Sequence, residues 1–132
     1  MSAYTFSIRV DVPRNVMFID QAGEASASDF RDLKKLFLAE VIRLQEGFTI
    51  INDQRDMEPY DDEAMEVAKE LVRLTNHYGA SRVIRIVPVD FLSTVRLSST
   101  LVAGQSRYTS IRVATPEEAE EALDALSENP GS

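Results

Sequence analysis

Residues 48–79 read FTIINDQRDMEPYDDEAMEVAKELVRLTNHYG. An apolar run closes on Asn52-Asp53, an acidic stretch follows, and from Asp61 an amphipathic pattern begins. Residues 48–53 do not alternate between apolar and polar, which predicts a strand covered on both faces, as in parallel sheets flanked by helices. Ala64, Ala68, Leu71, Thr75 and Tyr78 then recur at spacings of three and four, with Met65 and Val72 beside them, the period of a helix with one inward face. Glu63, Glu66, Lys69, Glu70 and Arg73 fall largely outside that face, and Gly79 stops the helix. The unit is strand, exposed loop, helix. In open α/β sheets, ligands and switches sit at that carboxyl end of the strands.

Working outward toward the N-terminus, Tyr4, Phe6, Ile8 and Val10 alternate with polar residues, the period-two mark of a strand with one buried face. Pro13-Arg14-Asn15 turns the chain, residues 16–20 form a second strand, and Gly23 closes the hairpin. Ser26 and Asp29 have the spacing of a capping box. Ala27, Phe30, Leu33, Phe37, Val41 and Leu44 form a helix stripe, and Gly47 is expected to end that helix.

Toward the C-terminus, residues 82–87 are a β-branched run that Pro88 ends, since proline cannot donate to a ladder. Residues 90–103 mix Phe91, Leu92, Val95, Leu101 and Val102 with serines and threonines of low helix propensity. They predict a weakly stable helix ending at Gly104. Ile111 and Val113 mark a last strand. Thr115-Pro116-Glu117-Glu118 has the cap, the proline and the acid of a helix start, with Ala119, Ala122, Leu123 and Leu126 facing inward. From Ser127 the chain is polar and is expected to fray. The order is β-β-α-β-α-β-α-β-α. It predicts a single α/β domain over residues 1–127 and a disordered tail over 128–132. The sheet is mixed and mostly parallel, of about five strands with about four helices.

Composition narrows the function classes. The 132 residues carry a net charge of -8 and no cysteine. The charge argues against nucleic-acid binding, which needs surface cations. The missing cysteines remove disulfides, thiolate nucleophiles and cysteine-held zinc together. No apolar run approaches the ~20 residues that span a bilayer. The first residues, MSAYTFSIRVDV, lack a basic region followed by an apolar core, so no secretory signal is expected. These features fit a cytoplasmic protein. The charge is uneven: residues 81–112 hold five arginines against Asp90, and residues 53–70 hold eight acids against Arg55 and Lys69. Such asymmetry can orient a partner or a second copy, and the regular edge pattern of residues 4–10 is compatible with a homodimer.

The element order resembles the STAS fold of anti-sigma-factor antagonists, and is most similar to its divergent, bacterial-type SpoIIAA-like group. In the phosphorylatable antagonists a strand ends in an aspartate, and eight residues later a second aspartate precedes a pair of serines and a helix. Asp53 and Asp61 stand at that spacing, and Asp62 and Glu63 occupy the serine positions. A carboxylate cannot accept a phosphoryl group from a serine kinase, so the phosphorylation switch is not carried over. The resemblance implies a non-enzymatic regulatory or protein-interaction module. For the divergent group it also implies an alternative role: a carrier or sensor of an apolar molecule or lipid with peripheral membrane contact.

Two candidate surfaces follow. Asp53, Asp56, Glu58, Asp61, Asp62 and Glu63 form a partner-binding surface, where permanent charge mimics a phosphorylated state. Part of that acidity also serves as a helix cap and first-turn charge, and clustered carboxylates suit a divalent metal only if they converge. Phe91, Leu92, Val95 and Val102 form the wall of an apolar ligand site, on a helix whose low stability suits a movable element. Arg96, Arg107 and Arg112 can meet an acidic partner or anionic headgroups. No catalytic residue, cofactor or metal ligand is assigned. His77 is the only histidine and has no nucleophile motif to serve. Residues 104–107 are too short for a phosphate loop. A receiver-type phospho-acceptor site needs a lysine after the last strand, and the lysines stand only at 34, 35 and 69.

Overall fold

The computed structural model describes residues 3–91 and 108–128. Strands β1 (Thr5–Asp11), β2 (Val16–Gly23), β3 (Thr49–Met57), β4 (Arg82–Ile86) and β5 (Thr109–Val113) form one sheet in sequence order. β1 runs antiparallel to β2, and β2 to β5 are parallel. The predicted hairpin and mixed, mostly parallel sheet are therefore present. Helices α1 (Ala27–Val41), α2 (Asp62–His77) and α3 (Pro116–Glu128) accompany it, with a short 3-10 turn at Val89–Phe91. The described residues thus hold three α-helices. The further helix expected over residues 90–103 lies, beyond that turn, outside the described residues.

Alternation along each strand sorts the core into two layers. Met17 and Ile19 of β2, Phe48 and Ile50 at β3, and Val83 of β4 pack under α1 and α2, where Phe30, Leu33, Phe37, Ala64 and Val67 meet them. Tyr4, Phe6, Ile8 and Val10 of β1 pack against the same layer. Val16, Ile51, Ile84 and Ile86 face the other way and pack under Ala119 and Leu123 of α3. β3 and β4 are thus covered on both sides, as the non-alternating apolar start of β3 predicted. Phe37, Phe48 and Met17 are fully buried, each contributing roughly 1.5–3 kcal/mol of apolar burial.

Three boundaries and one helix face depart from the sequence reading. β3 does not stop at Asp53 but runs to Met57, because β2 also continues and pairs Ala22 with Asp56 and Gly23 with Met57. Backbone pairing there outweighs the low strand propensity of the polar DQRD segment. α1 ends at Val41, well before Gly47. Arg43 and Leu44 donate to the carbonyls of Glu40 and Val41 in tighter three-residue steps, which close the last turn. In α2 the buried positions are Ala64, Val67, Val72 and Thr75, so the face includes Val67 and turns partly away from Ala68 and Leu71. α3 continues through Ser127 to Glu128, and residues 129–132 lie outside the described set.

The capping box at α1 is complete: Ser26 Oγ accepts from the Asp29 amide, and Asp29 Oδ2 accepts from the Ser26 amide. Glycine is required at Gly79, where φ is +86° and a Cβ would lie 2.5 Å from Glu46 Cγ.

Candidate functional site

The acidic segment is divided by the fold. Asp53 lies in β3 and is clamped by its near neighbour, with Arg55 Nη2 2.7 Å from Oδ2 and Arg55 Nε 3.0 Å from Oδ1. This contact holds the Arg55 guanidinium above its ordinary pKa. Asp56 pairs with Ala22, one residue before the strand pairing ends at Met57, and is exposed. Asp53 and Asp56 line an open groove of about 370 Å³ together with Asp20 and Gln21 of β2. Glu58, Asp61, Asp62 and Glu63 do not line it. Asp61 instead caps α2, its Oδ1 accepting from the Ala64 amide at 2.9 Å, and Asp62 and Glu63 stand exposed in the first helical turn. Negative charge is favoured there by the helix dipole. Among the described residues, Asp62 and Glu63 make no ion pair or side-chain hydrogen bond. The six acids are therefore two groups on adjoining elements, and among the described residues no set of acids and histidine converges to hold a metal ion.

The proposed apolar wall is not described: Leu92, Val95 and Val102 lie outside the described residues, as does the side chain of Phe91. No helix among the described residues is long and apolar enough to cross a membrane.

A second polar group sits on the face covered by α1 and α2, at the carboxyl end of the parallel strands, and sequence reading did not find it. The Tyr4 hydroxyl donates to Gln21 Oε1 at 2.7 Å, and Gln21 Nε2 donates to Asn52 Oδ1 at 2.8 Å. Gln21 is only 8% exposed. Asn52 is the register partner of Arg85 on β4. Burial pushes the Tyr60 and Tyr108 phenols above their ordinary values; the neighbouring Arg85 charge opposes the rise in both, as does a side-chain hydrogen bond from Arg85 at Tyr108. Tyr4 is raised more strongly, first by burial and then by the Asp29 charge. An aromatic chain lines the same region: Tyr4 meets Phe30 edge-on at 5.7 Å, and Phe30 meets Tyr60 edge-on at 5.0 Å. The available signal was parity. Asn52 follows Ile50, and Arg85 follows Val83, so both polar residues occupy inward strand positions.

No family model matches the chain, and no curated protein matches it. Solved structures match it in fold. An uncharacterized protein of the DUF3478 family with a SpoIIAA-like fold, from Shewanella loihica PV-4, aligns with a TM-score of 0.72 and 11% identity over 93% of this chain and 97% of that one. The anti-sigma factor antagonist SpoIIAA in its unphosphorylated form aligns with a TM-score of 0.60 and 15% identity, over 95% of this chain and all of that one. An anti-sigma factor antagonist from Mycobacterium paratuberculosis aligns with a TM-score of 0.58 and 12% identity, over 92% and 95%. The chain has the SpoIIAA-like, STAS-type fold that its element order predicted. At these identities the likeness is one of fold.

Proposed function

We propose that this protein is a non-enzymatic regulatory module that presents the strand-to-helix surface Asp53–Glu63 to a protein partner. The observation that carries this reading is the division of labour at the start of α2. Asp61 is consumed by the cap, whereas Asp62 and Glu63 are exposed acids without partners among the described residues. They occupy the positions that the resemblance to antagonists gives to the serine pair. Two fixed charges there act as a permanent counterpart of a phosphorylated surface, so the module is constitutively in one state. Two solved proteins of the same fold are anti-sigma factor antagonists, which supports a regulatory role over a catalytic one.

The test is affinity capture from the source cells with the wild-type protein and with the double variant Asp62→Lys/Glu63→Lys, after circular dichroism has established that both melt alike. The expected result is a protein retained by wild type, lost by the variant, and confirmed by direct titration of the purified pair. Equal retention by both proteins overturns the proposed surface.

A further inference from the structure

We propose that Arg85, Asn52, Tyr60 and Tyr108 form a binding site for a small oxyanion, a carboxylate or phosphate group, at the carboxyl end of the sheet. The site is separate from the exposed acids of α2 and does not depend on the partner-binding role.

The first observation is an unmatched buried donor. Gln21, Thr49 and Thr75, the buried polar residues of the described chain, are all satisfied: Gln21 by Tyr4 and Asn52, Thr49 Oγ1 by Arg82 Nε at 2.7 Å, and Thr75 Oγ1 by the Leu71 carbonyl at 2.8 Å. Among the described residues the sole buried side-chain nitrogen or oxygen without a partner is Arg85 Nε. Arg85 takes part in none of the ion pairs of the described residues. Residues 92–107, LSTVRLSSTLVAGQSR, contain no Asp or Glu, so that segment has no carboxylate to offer it. A buried donor left without a partner is costly, and Arg85, half-buried as a whole, keeps its Nε ready for an acceptor that the chain does not supply.

The second observation is the direction of the hydrogen-bond chain. Tyr4 donates to Gln21, and Gln21 donates to Asn52. This order spends the Asn52 oxygen and leaves Nδ2, a pure donor, at the end of the chain. Asn52 and Arg85 are register partners on neighbouring strands, roughly 4.8 Å apart in the sheet. Tyr60 and Tyr108 both feel the Arg85 charge, and the Tyr108 hydroxyl also accepts a hydrogen bond from the Arg85 side chain, while neither hydroxyl donates to a protein acceptor among the described residues. The groups gathered here are a guanidinium, an amide NH2 and two phenols. All have donors to spare, and no carboxylate stands among them. Their position, at the carboxyl end of parallel strands, is where open α/β sheets place ligands.

The test is a titration of the 15N-labelled full chain with acetate, and separately with inorganic phosphate, at constant ionic strength against sodium chloride. The expected result is a saturable shift of the Arg85 Nε–H resonance with one or both anions and none with chloride. Thermal stability should rise by about 3–6 °C at five times the Kd. A response to acetate alone assigns a carboxylate ligand, and a response to phosphate alone assigns a phosphoryl group. Asn52→Asp places a carboxylate beside Arg85 without changing side-chain size. It should raise Tm in anion-free buffer and abolish the response. Arg85→Met should melt no lower than wild type in that buffer and should not respond. The proposal is overturned if neither anion moves the wild-type resonance, if the response persists in Arg85→Met, or if Asn52→Asp lowers Tm while still responding.

Discussion

Gln21 Nε2 donates to Asn52 Oδ1 at 2.8 Å, joining the side chains of β2 and β3 beneath the α1 and α2 layer. Gln21 is the centre of the relay, because the Tyr4 hydroxyl ends on its other atom. Gln21→Leu removes the acceptor of Tyr4 and the donor to Asn52 in one step. It should cost about 1–3 kcal/mol, the range for leaving buried polar groups unsatisfied. Tyr4→Phe keeps the ring contacts with Phe6 and Phe30 and should cost about 1 kcal/mol. Urea denaturation of both variants and of the double variant checks the coupling. The double should lose less than the sum, since the second change removes a group already stranded by the first.

Asp61 and its neighbours separate stability from recognition. Asp61→Ala removes the acceptor of the Ala64 amide and should cost about 1 kcal/mol, as helix caps do. Asp62→Ala and Glu63→Ala touch exposed positions without side-chain partners among the described residues, so each should change stability by only a few tenths of a kcal/mol, through the helix dipole. Chemical denaturation midpoints measure this directly. A large loss at Asp62 or Glu63 would mean that these acids hold the fold rather than face a partner.

The local signals of the sequence carried most of the architecture. Alternation identified β1, the Ser26–Asp29 spacing identified the α1 start, the FTII run identified a strand covered on both faces, and the β-branched run from Arg82 identified β4. What escaped was non-local. The extension of β3 to Met57 depends on β2 continuing past the irregularity between Asp20 and Ala22, and nothing in QRDM announces a neighbour's register. The polar group escaped for a related reason. Arg85 lies in a β-branched run and reads as one of several arginines. It becomes distinctive only when register sets it beside Asn52 and tertiary packing brings Tyr60 and Tyr108 to it. The acidic loop had the opposite fate: close in sequence, its six acids were parted by a strand and a helix cap.

Asn15 governs where α1 gives way to β3. Its Oδ1 accepts from the Gln45 amide at 2.8 Å and its Nδ2 donates to the Gln45 carbonyl at 3.1 Å. Its backbone sits at φ 58°, a left-handed conformation that asparagine and glycine tolerate better than other residues. Asn15→Gly should preserve the conformation and lose the clamp, and Asn15→Ala should lose both. The ordering of stability, measured by thermal melts, should be wild type above Gly above Ala, with roughly 1 kcal/mol between the two variants. Equal Gly and Ala variants would place the whole contribution in the side-chain bonds.

The buried tyrosines set the alkaline limit of the fold. Burial raises the Tyr60 and Tyr108 phenols, and burial together with the Asp29 charge raises Tyr4. A free tyrosine ionises near pH 10. Above about pH 10 the unfolded chain therefore releases phenolic protons that the folded chain still holds, and the unfolded state is favoured. The stability these groups contribute is fully present below that pH and is lost as pH rises through the folded-state values. Urea midpoints measured from about pH 8 to pH 11.5 should stay flat at first and then fall. Tyr4→Phe, which removes the most strongly raised phenol, should flatten the fall more than Tyr60→Phe. Ultraviolet absorbance should show native phenols ionising later than those in urea. A wild-type midpoint that stays level across the whole range would contradict the burial of these hydroxyls against the sheet.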